Sequence, residues 1–325
     1  MNEIPITSID GFAFGHADNK EAATGCTVVV CENGAKAGVA VRGGSPGTRE
    51  TDALNPENFV EQVHGVFLAG GSAFGLEAGS GVMNELERKG IGFDVQVTKV
   101  PIVPGAILFD LMVGDEKVRP DNDMGQQATR NAFLNVPFLK GNVGAGTGAS
   151  VGKLLGASYA MKGGVGHYAI KVGELKVGAV VAVNSFGDVI DPATGNLLAG
   201  AYDRKQGCFL GSKQVLLEQM NTAKTNRFSG NTTIGVITCN AALSKSEANK
   251  LASIAHDGLA RTISPSHTFV DGDTLFAMTT NQVNVDLNGL SYLATHVVEQ
   301  AVIQAVLSAK SDYQLPAYST IIKEG

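Results

Sequence analysis

The sequence predicts an α/β layered fold, with helices packed over mixed sheets. Three observations predict it. Short apolar runs rich in Val and Ile alternate with amphipathic segments along the 325 residues. Several of those runs are apolar throughout, as strands covered on both faces must be. The composition, 44% hydrophobic and 17% charged, supplies enough apolar surface for a large shared core.

The elements follow in order. Cys26 to Cys31 and Ala37 to Val41 read as strands, as does Val66 to Leu68. A helix is expected to start at Ser72 as N-cap and to end before Gly90. Its surface is small: Ala73, Leu76, Ala78, Gly79, Val82. Val177 to Val183 is an almost pure apolar run, the pattern of a buried strand. Residues 202 to 230 turn polar and read as an exposed connection, with Gly207, Gly211 and the segment NRFSG near its end and room for a short helix at Val215 to Met220. Thr232 to Thr238 is again a buried-strand pattern. Ser244 and Glu247 form a capping box for a helix whose apolar positions include Ala248, Leu251 and Ala255. A strand is expected over about Thr274 to Thr279, and a last helix from about Leu290 to Ala309. No internal repeat is visible, and one domain covering 1–325 is expected.

Bulk properties narrow the function classes. The 41 glycines have no fixed period, which excludes collagen-like and linker architectures and implies many tight turns and close backbone approaches. The net charge of −6, without a basic run, speaks against a nucleic-acid partner. Met1 to Ala13 lacks a basic segment followed by an apolar core, and no apolar stretch was found that reaches the roughly 20 residues of a membrane span. A cytoplasmic protein without a membrane partner is therefore expected. The four cysteines, Cys26, Cys31, Cys208 and Cys239, form no CxxC pair and read as free thiols.

The sharpest local feature is Gly230-Asn231-Thr232-Thr233-Ile234-Gly235. A polar connection runs straight into a buried strand, with a hydroxyl residue at the junction. Cleavage of the Asn231–Thr232 bond would give Thr232 a free α-amine beside its own hydroxyl. An α-amine has a pKa of roughly 7.7–8.0, so it serves as a general base near neutral pH. One residue would then supply nucleophile and base together. Read alone, Thr-Thr also simply begins a β-strand.

Five motifs extend the pattern: LAGGSAFGLEAGSGV (Leu68 to Val82), GAGTGASVGK (Gly144 to Lys153), VVAVNSFGDVID (Val180 to Asp191), GNTTIGVITCN (Gly230 to Asn240) and HTFVDGDTLFAMTT (His267 to Thr280). Through them the chain resembles, over nearly its whole length, the L-aminopeptidase/D-Ala-esterase and β-peptidyl-aminopeptidase family of self-processing hydrolases, and within it the nylon-oligomer (6-aminohexanoate oligomer) endo-hydrolases. The resemblance implies two sheets sandwiched between helical layers, an αββα arrangement. It implies autocleavage into fragments 1–231 and 232–325 that stay in one fold, and a homo-oligomer of those cleaved heterodimers, a tetramer being possible. The small-residue helix from Ser72 suits such assembly.

By the same resemblance, Thr232 matches the nucleophile, Asn184 the side chain that stabilises the oxyanion, and Lys153 the active-site lysine. Asp271 and Asp273 match an acidic pair. The residues themselves are compatible with these roles. Asn184 ends a buried strand, where an amide N–H can point into a site. A cation at Lys153 would help keep a nearby amine neutral. An extended Asp-Gly-Asp would put both carboxylates on one side, where they could hold Thr232 and Lys153 in a hydrogen-bonded network. Read singly, each also has a plain structural role: a turn Asn, a solvated Lys, an Asp-Gly turn. His267 is expected to make a structural hydrogen bond.

No cofactor and no metal are expected, since neither the acidic pair nor the six dispersed histidines comes with a ligand set. A nucleotide-binding protein is the rival class, because Gly144-Ala145-Gly146-Thr147-Gly148-Ala149 resembles a dinucleotide loop. No Asp or Glu follows between Thr147 and Val172 to take a ribose, and Lys153 is followed by Leu154, against a Walker A loop. A non-catalytic protein of the same fold is the other rival. The expected substrate is a small or oligomeric amide: a nylon-type or other ω-amino-acid oligomer, or alternatively a peptide or ester bearing an N-terminal D-, L- or β-amino acid.

Overall fold

The computed structural model describes residues 1–134, 136–221 and 230–324. Its organising element is one long strand, Thr24–Val41. Residues 24–30 pair with Ala13–Asn19 on one side and with Val63–Ala69 on the other. Residues 36–41 pair instead with Thr274–Val283. The strand therefore belongs to two sheets, which are a single hydrogen-bonded ribbon folded on itself. The sequence showed only the two ends of this strand, because the polar residues Glu32 to Gly34 interrupt its apolar pattern where it changes sheets.

The first sheet continues from Thr274–Val283 to Thr232–Ala241 by a parallel pairing, then to Leu175–Asn184 and Gly164–Val172 by antiparallel ones. The second adds Gly105–Ile107 parallel to Val63–Ala69. Helices Lys245–Thr262 and Leu287–Leu307 cover the outer face of the first sheet, and Ala78–Arg88 and Asn122–Phe133 cover the second.

The layering follows from strand alternation, since successive side chains face opposite ways. Val177, Ala179, Val181 and Val183 pack against Leu293, Ala294 and Val297 of the outer helix. Val180 and Ala182, with Ile234, Val236 and Phe276, face inward and meet Phe14, Val29 and Leu68 of the other sheet. On the far side, Val28, Val30 and Phe67 pack under Val82, Leu86, Ala128 and Ala132. This is the αββα sandwich with mixed sheets. A strand buried on both faces has no polar side, which is why these runs read as continuously apolar.

Some local expectations need correction. The segment from Ser72 begins as a 3₁₀ turn, Ser72–Glu77, and becomes an α-helix only at Ala78. Ser72 has φ 54° and is the first residue of that turn; the N-cap position is taken by Gly71. The small residues of this helix are used inside the subunit. A Cβ on Gly81 would lie 1.9 Å from the Asn122 carbonyl oxygen, and one on Gly125 would lie 2.0 Å from that of Ala78. Two helices cross there at backbone contact, so the helix no longer argues for assembly between subunits.

The capping box at Ser244 and Glu247 is present. The polar stretch after residue 202 holds a small hairpin, Tyr202–Asp203 with Cys208–Phe209, and a helix Ser212–Glu218 that starts earlier than expected. Of NRFSG, only Gly230 is among the described residues. By length and composition Leu287–Leu307 is apolar enough to cross a membrane, contrary to the sequence reading; it lies as a core helix against the first sheet. All four cysteines are free, with Cys208 alone exposed.

Candidate active site

Asn184 ends one central strand and Thr232 begins the next, and the two are direct register partners. The antiparallel ladder thus brings together two residues 48 positions apart in the chain. The Asn184 amide is oriented by its neighbours. Its Oδ1 accepts from the Ser150 N–H at 3.0 Å and from Lys153 Nζ at 2.7 Å. A backbone N–H can only donate, so Nδ2 must face the other way. It donates to the Phe109 and Gly230 carbonyls at 3.0 and 3.2 Å.

Lys153 is buried and donates three hydrogen bonds, to Asn184 O at 2.9 Å, Asn184 Oδ1 and Gly230 O at 3.0 Å. Burial pushes its pKa down to about 7, although the nearby charges of Asp271 and Asp110 oppose the shift. Lys153 and Asn184 therefore both grip the carbonyl of Gly230.

The next carbonyl, that of Asn231, has its own donors. The Gly272 N–H points at it from 3.0 Å, and the Thr232 hydroxyl rests against the same oxygen. Asn231 and Asp271 form a parallel bridge that sets this approach. Only glycine fits at 272, because a Cβ would lie 2.7 Å from Thr232 Oγ1 and 2.9 Å from the Ser45 carbonyl oxygen.

The acidic pair is close to this junction but is wired differently from the expectation. Asp271 Oδ2 accepts from the Thr268 N–H at 2.9 Å and its hydroxyl at 2.6 Å. Asp273 Oδ1 accepts from the Thr233 N–H at 2.7 Å; its Oδ2 accepts from the His267 N–H at 3.0 Å and pairs with His267 Nδ1 at 2.8 Å. Neither carboxylate bonds to Thr232 or to Lys153. The reason is local: the regular strand begins only at Thr274, so the segment before it bends and each carboxylate caps backbone N–H groups. Asp271 acts on Lys153 through charge alone. Burial, and then Asp273, raise the Asp271 carboxyl above the ordinary carboxylate range. His267 makes the structural hydrogen bond expected of it.

Three contributors escaped the sequence reading. Gly272 contributes through its backbone N–H, which no side-chain pattern marks. Asp110 is buried, accepts from Thr24 Oγ1 at 2.7 Å and from the Gly71 N–H at 2.6 Å, and places a second carboxylate near Lys153. An acid inside the apolar run ILFDLMV (Ile107 to Val113) was its signal. Lys162 is fully buried and donates to the carbonyls of Gly146, Ala149 and Gly163 at 2.8–3.1 Å. It clamps the glycine-rich segment that delivers the Ser150 N–H to Asn184. Beside Lys153 opens a cavity of about 690 Å³, lined mainly by apolar groups including Met112, Val113, Ala160 and Leu315. Among the described residues, no group of three or more His, Cys, Asp or Glu side chains is arranged to hold a metal ion.

The model of peptidase family S58 matches residues 5–314. The chain belongs to peptidase family S58. An uncharacterised aminopeptidase of Mycobacterium tuberculosis is 39% identical to this S58 chain over 348 aligned positions, covering 96% of both proteins. A 6-aminohexanoate-oligomer endohydrolase of a Kocuria species is 31% identical, over 91% of this chain and 84% of that protein. In fold, the S58 chain is similar to the L-aminopeptidase D-Ala-esterase/amidase of Ochrobactrum anthropi, described as a variant of the Ntn hydrolase fold. The TM-score is 0.66 at 17% identity, covering 98% of this chain and 93% of that one. A β-aminopeptidase from a Burkholderia species gives the same TM-score at 18% identity, covering 98% and 92%. S58 membership and these relatives make peptide or amide hydrolysis its chemistry, on an Ntn-hydrolase-type αββα fold.

Proposed function

We propose that this S58 protein cuts itself between Asn231 and Thr232 and then works as an amide hydrolase with Thr232 as N-terminal nucleophile. The observation that carries the reading is the treatment of two successive carbonyls. Lys153 and Asn184 hold that of Gly230, while the Gly272 N–H and the Thr232 hydroxyl meet at that of Asn231. The chain ahead of Thr232 lies in the site as a first substrate.

In self-cleavage, Thr232 Oγ1 attacks the Asn231 carbonyl carbon. The Gly272 N–H donates to the oxygen that becomes negative, a contribution typically worth about 3–4 kcal/mol. The C–N bond breaks, the hydroxyl proton passes to the Thr232 nitrogen, and water hydrolyses the resulting ester. Turnover repeats the sequence on an external amide. The new α-amine takes the hydroxyl proton and returns it to the leaving amine, and water releases the acyl group. With the Gly230 carbonyl withdrawn, Asn184 Nδ2 and Lys153 Nζ are free to meet the substrate oxygen. Lys153, with a pKa of about 7, also helps keep the α-amine neutral. No step requires a cofactor.

For substrate, we propose an ω-amino-acid oligomer or peptide-like amide, supported by the 31% identical endohydrolase. Release of N-terminal amino acids is the second reading, supported by the 39% identical mycobacterial relatives, which are described as aminopeptidases. Assembly as a homo-oligomer of cleaved heterodimers, in the cytoplasm, belongs to the same proposal. Activity of the processed protein on an amino-acid p-nitroanilide compared with a 6-aminohexanoate oligomer decides between the substrates. Persistence of an uncut, inactive chain under folding conditions defeats both.

A further inference from the structure

The cavity beside Lys153 has one wall that the reaction does not account for. Asp312 and Leu315 bond to each other across a two-residue loop, Leu315 N–H to Asp312 O at 2.8 Å and Asp312 N–H to Leu315 O at 3.2 Å. The two loop residues, Tyr313 and Gln314, both lie in the left-handed region, at φ 50° and 60°. Loops of this kind favour Asn-Gly, because side chains longer than Asn are strained at positive φ. Strained residues persist where the surroundings hold them, and they cluster at ligand clamps.

Here the surroundings do hold them. The Tyr313 N–H donates to Asp312 Oδ1 at 2.9 Å, and its hydroxyl donates to the Lys20 carbonyl. Leu315 is buried, and the Pro316 carbonyl accepts the Lys162 N–H at 2.8 Å. Residues 161–162 pair in turn with 150–151, so the loop is tied through two short strands to the Ser150 N–H that orients Asn184. Tyr313 and Gln314 both line the cavity.

The charges of the cavity are one-sided. Lys153 lies in its wall, and Arg204 lies at a rim shared with a second cavity of about 710 Å³. Arg204 Nη2 donates to the Ala160 carbonyl at 3.1 Å and to the Ala157 carbonyl at 3.5 Å, which fixes the guanidinium; among the described residues its Nε and Nη1 make no hydrogen bond. Among the described residues no carboxylate lines the cavity beside Lys153. An ammonium group entering it would meet Lys153 and Arg204 in the lining and no lining carboxylate; Asp271 and Asp110 act on Lys153 from outside the lining, and Asp312 lines the second cavity.

We propose that the Tyr313–Gln314 loop and Arg204 form the specificity-determining wall of this cavity, which receives an apolar chain ending in a carboxylate or a neutral group and rejects an ammonium end. This rests on the amidase reading for its biological meaning, yet its test does not depend on turnover. Calorimetric titration of the purified full-length protein with hexanoate, hexanamide and hexylammonium compares three ends on one apolar chain. Hexanoate should bind at least tenfold more tightly than hexylammonium, with hexanamide between. Arg204→Gln should reduce the preference for hexanoate over hexanamide at least fivefold. Tyr313→Asn combined with Gln314→Gly should raise Tm by relieving the strained loop, and should weaken hexanoate binding at least fivefold.

Equal or tighter binding of hexylammonium overturns the charge selection. An unchanged preference in Arg204→Gln removes that residue from the wall. A rise in Tm without loss of binding makes the loop strain unrelated to the site, and absence of binding by all three ligands overturns the proposal outright. Fragment masses score self-cleavage independently, so failure of the amidase reading is distinguished from failure of this one.

Discussion

The Gly272 N–H lies 3.0 Å from the Asn231 carbonyl oxygen, the same oxygen against which the Thr232 hydroxyl rests. This places a fixed donor where negative charge would develop if that bond were attacked. Preorganised donors of this kind are usually a large term in acyl transfer, since they need no reorganisation as the reaction proceeds. The acids on either side of Gly272 keep it there by capping the backbone at Thr268 and Thr233.

Self-cleavage should yield fragments of 231 and 94 residues, the second beginning at Thr232. Intact-mass spectrometry after incubation reads this directly. Thr232→Ala should stay in one piece because no hydroxyl remains to attack.

Gly272→Ala should slow processing by 100-fold or more, a loss of about 3 kcal/mol of transition-state stabilisation. The added Cβ would lie 2.7 Å from Thr232 Oγ1 and must displace either the hydroxyl or the donor loop. Circular dichroism should show a retained fold. Processing at the wild-type rate would show that a Cβ at 272 is accommodated without displacing the Thr232 hydroxyl or the donor loop.

Asp273→Asn should impair hydrolysis by more than 100-fold, because an amide cannot accept from both the Thr233 N–H and His267 as a carboxylate does. Asp271→Asn and Lys153→Ala should fall in the same range. Self-cleavage should suffer less in each variant, since the scissile bond is already held next to the hydroxyl. The two readouts are scored separately for every variant. EDTA should leave wild-type activity unchanged; loss of activity restored by a divalent ion would replace this mechanism with a metal-dependent one.

Stability should rise with pH above neutrality; below it the raised carboxyl of Asp271 acts in the opposite sense to the lowered histidines. Burial lowers Lys153 and Lys162 from 10.5 to about 7. Between those values the unfolded chain holds more protons than the folded one, so raising pH favours folding, by up to about 1.4 kcal/mol per pH unit for each lysine. Below about 7 both are charged in either state and the burial penalty is present in full. His16, His167 and His256, lowered to about 3, 4 and 4, add destabilisation as pH falls below 6.5. Urea midpoints from pH 5 to pH 9 test this. Lys162→Met should remove one lysine's share of the alkaline slope, and an unaltered slope would count against its depressed pKa.

The helix-over-sheet layering and the turn from a polar stretch to an apolar strand at Thr232 were legible in the linear pattern. Runs such as Val177 to Val183 have no polar face, as expected of strands covered on both sides, and the polar stretch before Thr232 ends abruptly at such a run. The capping box at Ser244 was legible because it is built from neighbours within one turn. Tertiary structure decided what depends on residues far apart in the chain. Asn184 meets Thr232 only through strand register, and Asp110 reaches the vicinity of Lys153 only when the sheets stack. The partners of Asp271 and Asp273 depend on a bend that period-two alternation does not encode. Gly272 matters through a backbone N–H, a group every residue except proline carries, so only its placement beside the Asn231 carbonyl could single it out.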